Sequence, residues 1–148
     1  MSGVSYALEP LLPGPAIFLA GPTPRDPETP SWRPGFISIL QRLEPSVTIY
    51  VPEQTAWKDN YDAQVQWEWD ALEASTVVLF WIPRDLKTMP AFTTNVEFGM
   101  LITTQRALAI GWPIDAPKNK YLEWHAKRTG REIYHTPEDV CLRALDSL

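Results

Sequence analysis

The sequence predicts one α/β domain, a doubly wound arrangement with a five-stranded parallel sheet and helices on both of its faces. Short β-rich apolar runs alternate with segments of helical spacing, which is typical of consecutive βαβ units. The run at residues 77–82 is apolar up to its closing proline, as expected for a strand buried on both faces in the middle of the sheet. A length of 148 residues fits a single domain.

The first predicted strand and helix are joined by a stiff loop. Residues 16–20 form the strand, and the Gly- and Pro-containing turn at 21–25 follows it as a binding loop that permits close backbone approach. We expect Ser31 to cap a helix that tolerates Pro34 in its first turn. This helix ends near Glu44.

The second strand, at 47–51, leads through a polar loop at 53–61 into a helix at 62–75. The inward stripe of this helix is predicted to consist of Val65, Trp69, Leu72 and Thr76. At about 100° per residue, Glu68 falls near the edge of the stripe and Asp70 points well away from it. Glu68 is therefore the acid that we expect to be partly buried.

A glutamate is expected near the start of the helix that follows the central strand. Thr93 and Thr94 supply oxygens that cap a helix whose first turn carries Glu97 and which runs to about Arg106. Open parallel sheets bind ligands outside the carboxyl ends of their strands, where such a helix directs its N-terminal groups. Glu97 is thus the leading functional candidate. The alternative is a surface carboxylate that only complements the helix dipole.

The last part of the chain completes the predicted sheet. A fourth strand is expected at 108–110 and a short helix at 121–129. A weak fifth strand at 132–134 precedes a final helix that opens at 136–139.

The composition favours a small-molecule ligand. The net charge is −5 and Lys and Arg form no basic run, so nucleic acid is not an expected partner. Seven Trp and 15 Pro suggest shaped loops around a ligand that contains a ring. Cys141 is the only cysteine, which excludes an intramolecular disulfide and suits a reducing cytosol. With no signal-like N-terminus and no run of membrane-spanning length, we expect a cytoplasmic protein without membrane contact.

The chemistry that the residues suggest is that of carboxylates. No Gly-rich nucleotide-binding, P-loop, nucleophile-elbow or zinc-protease motif is present. His125 and His135 are the only histidines and have no acidic or thiol cluster at ligand spacing, so we expect neither a metal site nor a cofactor. Two acids can cleave a glycosidic bond, one as nucleophile and the other protonating the leaving group. Glu97 with Glu68 or Asp70 is such a pair.

Five motifs stand in a suggestive order: IFLAGPTPR, YVPEQ, WEWDALEAS, VVLFWIPRD and TTNVEFG. In this order they resemble the nucleoside 2-deoxyribosyltransferase family over most of the first 120 residues. The resemblance implies a flavodoxin-like fold and exchange of the base on a 2′-deoxynucleoside through a covalent deoxyribosyl-enzyme intermediate. The substrates would be a 2′-deoxynucleoside and a free nucleobase. Relatives of the family include hydrolases of deoxynucleoside monophosphates.

The resemblance also implies roles for particular residues. Glu97, in NVEFG, matches the nucleophilic glutamate of the family. The second acid of the family precedes an aspartate, here Thr76, by a spacing that indicates Glu68, whereas its residue type favours Asp70. Asn119 resembles an asparagine that reaches the sugar site of a neighbouring subunit. A homo-oligomer with sites completed across an interface is therefore expected.

Two positions depart from the family pattern. Phe18 stands where the family has a tyrosine that touches the nucleophile, and Ala91 stands where it has an aspartate that recognises the sugar hydroxyl. Asn95 and Asp85 are the candidates to replace that aspartate. The other residues expected to contact the substrate are Gly21, Pro22, Arg25, Trp32, Gln54 and Trp57. Phe18, Trp32 and Trp57 are the expected stacking surfaces for the base.

Three functions stay open at this point. In a transferase, ionised Glu97 attacks C1′ and Glu68 or Asp70 protonates the departing base. An N-glycosidase of deoxynucleosides or their 5′-monophosphates would use the same acids, with Arg25 and Arg33 as the candidates to bind phosphate. A nucleotide-binding sensor without turnover is the third, and the missing tyrosine and aspartate are its motivation.

Overall fold

A computed structural model describes residues 3–148, which form a six-stranded, entirely parallel sheet with five helices. The strands are β1 (Gly3–Tyr6), β2 (Ala16–Ala20), β3 (Thr48–Val51), β4 (Val77–Trp81), β5 (Ala107–Gly111) and β6 (Ile133–Tyr134). The helices are α1 (Arg33–Leu43), α2 (Tyr61–Ala74), α3 (Phe92–Leu101), α4 (Lys120–Arg128) and α5 (Pro137–Leu145).

The strand order across the sheet is β1-β3-β2-β4-β5-β6. Without β1, this is the order of the flavodoxin-like fold, in which the first strand lies between the second and the third. The predicted doubly wound parallel sheet is confirmed. The prediction lacked β1, which adds a sixth strand by pairing with β3 from Gly3 opposite Thr48 to Tyr6 opposite Val51.

The helices cover both faces of the sheet. On one face α1 and α5 bury their apolar stripes against the strands, with Phe36, Leu40, Val140, Cys141 and Ala144 in this layer. On the other face α2, α3 and α4 contribute Trp67, Ala71, Phe98 and Ala126 to the core, together with Ile102 directly after α3. None of the helices within residues 3–148 combines the length and apolarity needed to span a bilayer.

The predicted start of α3 was wrong. The helix begins at Phe92, and its N-terminal flanking residue is Ala91, which has a left-handed backbone with φ 65°. Thr93 and Thr94 therefore lie inside the first turn and do not cap the helix, while Glu97 lies beyond that turn. The physical reason is the preceding loop, whose Pro90 carbonyl is fixed by a hydrogen bond of 2.6 Å from buried Arg84. The helix also ends at Leu101, earlier than predicted.

Two further local predictions were wrong. Ser31 is not the residue that directly precedes α1; Trp32 is, although the Ser31 hydroxyl accepts a hydrogen bond of 3.1 Å from the Arg33 amide. On α2 the buried residues are Trp67, Ala71 and Leu72, so the predicted inward position of Leu72 is confirmed. Val65 and Trp69 are exposed, and so is Thr76, which lies beyond the end of the helix. The indole of Trp67 donates to the Glu9 carbonyl at 2.8 Å, a contact with the segment after β1 that helical spacing alone does not reveal.

Candidate active site

A cavity of about 250 Å³ opens where the loops after β2, β3 and β4 meet. The chain leaves the neighbouring strands β2 and β4 for helices on opposite faces of the sheet, and such a switch point opens a crevice at the carboxyl ends of the strands. The polar residues of its wall are Thr23, Arg25, Arg33, Tyr61, Gln64, Glu68, Thr93, Thr94 and Glu97. These come from the loop after β2 and from α1, α2 and α3.

Glu97 presents its carboxyl group to this cavity from α3. The residue is 7% exposed, and its carboxyl group makes no hydrogen bond within the part of the chain that the structure describes. Burial and the charge of Glu68 raise the pKa of Glu97 to about 8, while the charge of Arg33 lowers it. A largely buried carboxyl group whose oxygens stay open to a cavity and whose pKa is strongly raised is typical of a functional position.

Glu68 is the second acid of the cavity. It projects from α2, is partly buried, and lines both this cavity and a neighbouring pocket of about 420 Å³. Burial raises the pKa of Glu68, and the charge of Arg33 and a hydrogen bond with Gln64 act in the opposite direction. The charge of Glu68 acts on Glu97 and both acids line the same cavity, so the two residues are called the acid pair below.

Asp70 lies elsewhere. It is exposed on α2, two residues beyond Glu68, and accepts a hydrogen bond of 2.9 Å from Gln66 on the same helix. Two residues correspond to about 200° of helical rotation, so Asp70 points away when Glu68 faces the cavity. The structure brings Glu68, and not Asp70, together with Glu97.

Arg33 places a buried positive charge in the cavity wall. Its guanidinium group donates to the carbonyl oxygens of Leu19 at 3.1 Å and of Gly21 at 2.6 Å, to the Thr23 hydroxyl at 2.9 Å, and to the Glu53 carboxylate at 2.7 Å. This side chain therefore holds the loop after β2 in place. From the sequence, Arg33 was predicted only as a phosphate ligand.

The predicted residues of the loop after β2 line the cavity. Gly21, Pro22 and Arg25 form part of the wall, and the Arg25 guanidinium lies 5.4 Å from the ring centroid of Phe92. Trp32 packs behind this loop and donates its indole hydrogen to the Pro22 carbonyl at 2.9 Å. Trp32 is not among the residues that line the cavity, so it supports the wall from behind.

The three expected stacking surfaces have different fates. Phe18 is fully buried in the core beneath the site, so its ring is not available to a base. Trp57 is 82% exposed and borders the neighbouring pocket together with Gln54 and Gln64. Gln54 is held there by a hydrogen bond of 3.1 Å from its side-chain amide to Gln64.

Asn95 and Asn119 belong to a network behind the start of α3. Buried Arg84 donates to the side-chain oxygen of Asn119 at 3.0 Å and to that of Asn95 at 2.7 Å, and the Asn119 amide donates to the Ile82 carbonyl at 3.2 Å. Asn119 is buried, hydrogen-bonded within its own chain, and borders a separate pocket of about 780 Å³; its contact with a neighbouring subunit stays a prediction. Asp85 accepts hydrogen bonds from the Lys87 and Thr88 amides of its own loop.

Sequence reasoning missed Thr94 and Gln64 as cavity residues and misjudged the part that Arg33 plays. Arg33 shares the inward stripe of α1 with Phe36 and Leu40. A charged residue at an inward helical position was the signal that could have identified it. Within residues 3–148 no group of three or more His, Cys, Asp and Glu side chains is arranged to hold a metal ion.

Comparisons with known proteins bear on the family and the fold of the chain. A family model described as nucleoside 2-deoxyribosyltransferase like matches residues 14–113, which include β2 to β5 and both members of the acid pair. A solved structure of a conserved protein from Enterococcus faecalis V583 is similar in fold, with a TM-score of 0.62 at 10% identity. The alignment covers 90% of this chain and 99% of that chain. No curated protein matches the chain.

Proposed function

Because the chain belongs to the nucleoside 2-deoxyribosyltransferase-like family, we propose that it transfers a 2-deoxyribosyl group from one nucleobase to another. The observation that carries the proposal is the carboxyl group of Glu97, nearly buried and unpaired among the described residues, which faces a cavity beside Glu68. Two carboxyl groups at one small cavity suit cleavage of a glycosidic bond by double displacement.

In the first half of the proposed reaction, the one proton of the acid pair, which lies mainly on Glu97 in the free protein, moves to Glu68 when the substrate binds. A carboxylate oxygen of Glu97 then forms a bond to C1′ as the bond between C1′ and the base nitrogen breaks. The electron pair of the broken bond stays on the base nitrogen, and Glu68 donates its proton to that nitrogen. The base leaves as a neutral molecule, and the sugar remains on Glu97 as an ester.

In the second half, a nitrogen of the incoming base attacks C1′ while the Glu68 carboxylate takes up its proton. The ester bond breaks and Glu97 is released as a carboxylate. Two successive displacements retain the configuration at C1′. The pocket with Trp57, Gln54 and Gln64 lies next to Glu68, so it is our proposed location for the base in both steps.

The test is a chromatographic assay of the protein with a 2′-deoxynucleoside and a second free base. A new deoxynucleoside is the expected product. Release of free deoxyribose without a new nucleoside would make the protein a hydrolase, and an unchanged mixture would favour a binding protein without turnover.

The matched variants for this assay are Glu97→Gln and Glu73→Gln. We expect Glu97→Gln to lose activity by roughly a thousandfold or more, because an amide does not form the glycosyl ester. Glu73 is an exposed acid of α2 and its replacement should leave the rate unchanged. Near-normal activity of Glu97→Gln would contradict the proposed mechanism.

A second candidate function, hydrolysis of deoxynucleoside 5′-monophosphates, is favoured by Arg25. This exposed side chain lines the cavity and makes no hydrogen bond within residues 3–148. Its charge is therefore available to a phosphate group, whereas Arg33 is occupied by the loop.

Steady-state kinetics with a deoxynucleoside and its 5′-monophosphate separates the two functions. If the monophosphate is the substrate, it should be preferred, and Arg25→Gln should raise its KM about tenfold or more without affecting the deoxynucleoside. A preference for the deoxynucleoside that Arg25→Gln leaves unchanged would reject this second function.

We also propose a cytoplasmic location, which suits the unpaired Cys141 because the cytosol keeps thiols reduced.

A further inference from the structure

The side chain of Arg33 is almost completely buried, which is rare for an arginine. Its side chain is 1% exposed, and its ion-pair partner Glu53, at 2.7 Å, remains partly exposed. Three of its four hydrogen bonds go to uncharged oxygens, those of Leu19, Gly21 and Thr23. A buried guanidinium group that is matched by only one carboxylate leaves positive potential for its other neighbours.

Those neighbours are the acid pair. Arg33 lines the same cavity as Glu68 and Glu97, and its charge favours the ionised form of both acids. Arg25 is the other cation among the described cavity residues, but it is exposed to solvent. Arg84, behind the start of α3, is bonded to the Pro90 carbonyl and to two asparagines. Arg33 is thus the buried charge that acts on the pair from α1, and Glu53 opposes it from the loop after β3.

We propose that Arg33 is a positioning residue whose buried charge keeps the acid pair from holding two protons at neutral pH. The proposed reaction, on which this inference rests, needs one proton on the pair, so that one carboxylate attacks while the other group is an acid. Two protons would leave no nucleophile. Arg33 also fixes the loop after β2, and this ties the charge to the geometry of the cavity.

The role makes opposite predictions for two substitutions. Arg33→Gln removes the positive charge and should raise the pKa values of Glu97 and Glu68 by about one unit or more. Glu53→Gln removes the negative charge that offsets Arg33 and should lower them. Arg33→Lys keeps the charge without the planar fork, so the pKa values should stay near those of the wild type although the loop loses hydrogen bonds.

The experiment is carbon-13 NMR of the full chain labelled at the glutamate side-chain carboxyl carbons, titrated with pH for each variant. Glu97→Gln and Glu68→Gln assign the two signals, and the readout does not depend on activity. The pKa values of Glu97 and Glu68 are expected to rise in Arg33→Gln, to fall in Glu53→Gln and to change little in Arg33→Lys. The acid limb of kcat/KM should move in the same order.

Unchanged titrations in Arg33→Gln, or shifts of equal sign in Arg33→Gln and Glu53→Gln, would overturn the proposal, since equal signs indicate lost packing rather than lost charge. If Arg33→Gln fails to fold, Glu53→Gln and Arg33→Lys still test the proposal, because a rise in the pKa values of the acid pair in either variant would contradict it. Titrations that behave as expected in a protein without glycosyl transfer would leave the action of Arg33 on the pair intact and reject the proposed function alone.

Discussion

Glu97 combines burial, a free carboxyl group and a neighbouring acid, and this combination sets the pH dependence of the proposed reaction. The last proton leaves the acid pair near pH 8, the value to which burial and the charge of Glu68 raise the pKa of Glu97. The first proton leaves above the ordinary value of 4.5, since the pKa of Glu68 is raised as well. We therefore expect a bell-shaped profile of kcat/KM.

The alkaline limb should lie near pH 8, because above it both carboxyl groups are charged and neither protonates the leaving base. The acid limb should lie above pH 4.5, where the pair gains its second proton. A substrate with a good leaving group needs no acid and should lose the alkaline limb. A profile that stays flat to pH 9 with a poor leaving group would show that the pair does not work in this way.

The raised pKa of Glu97 also has a consequence for stability. Between pH 4.5 and about 8 the folded protein holds a proton that the unfolded chain releases, so stability falls as the pH rises through this window. Once the pH exceeds this window, burial of the charged Glu97 carboxylate costs stability on the order of a few kcal/mol, and Glu97→Gln removes that cost. At pH 8 the variant should melt several degrees higher than the wild type, at about 3 °C per kcal/mol. A calorimetric Tm below that of the wild type would contradict this.

Glu68 and Asp70 differ by placement rather than by chemistry, and leaving-group dependence should separate them. Glu68→Gln should slow reaction of a poor leaving group by about a hundredfold or more and affect a good one much less. Asp70→Asn is the matched control, since Asp70 is exposed. Equal behaviour of the two variants would remove Glu68 from its proposed role.

The sequence predicted the position of Glu97 at the cavity, but not the charges around it. The partial burial of Glu68 was also predicted, although the inward stripe from which it was inferred was wrong. The position of Glu97 on the wall follows from local spacing after a buried strand. The charges that act on Glu97 come from Arg33 on α1 and Glu68 on α2, which are distant in the chain. The pairing of Arg33 with Glu53, 20 residues away, is equally nonlocal.

Among the elements, the loop after β2 depends most on a single small residue. A Cβ atom on Gly21 would meet the Trp81 carbonyl oxygen and lie 2.5 Å from Cζ2 of Trp32. Gly21→Ala should therefore destabilise the fold by about 1 to 3 kcal/mol and weaken substrate binding. Gly35→Ala, in α1 with open space around it, is the control and should be neutral or slightly stabilising. Thermal melts of equal Tm for the two variants would refute the predicted crowding at Gly21.

Helix α2 shows why periodicity alone was ambiguous. Both Val65 with Trp69 and Trp67 with Ala71 satisfy an apolar spacing of four residues. The choice between them is made by the chain after β1, where the Glu9 carbonyl accepts the indole hydrogen of Trp67. Strand β1 itself was missed because its four residues have no strong β pattern and are stabilised by pairing with β3. Continuous apolar runs such as β4 were predicted correctly, because an unbroken apolar run by itself indicates a strand buried on both faces.

The whole molecule exposes two apolar stripes beside the cavity. Tyr61, Val65 and Trp69 are spaced four residues apart on α2, and Phe92, Val96 and Met100 are spaced likewise on α3. Tyr61, Val65 and Phe92 also line the cavity. Exposed apolar surface next to an open site favours association, so we propose that a second copy of the chain covers these stripes.

This proposal predicts that the protein is an oligomer in solution and that Val96→Arg lowers its mass by light scattering. If the second copy also completes the active site, Val96→Arg should lower the activity as well. Leu142→Arg, at an exposed position of α5 on the other face of the sheet, should change neither mass nor activity. A wild-type monomer with full activity would reject the interface.

The buried thiol on α5 has a practical consequence for measuring such assembly. Burial raises the pKa of Cys141 to about 12, so the native thiol should resist maleimide dyes at neutral pH. A cysteine introduced at the exposed position of Asp70 would then take the dye alone. Two batches that carry different fluorophores, when mixed, should develop energy transfer at the speed with which the chains change partners.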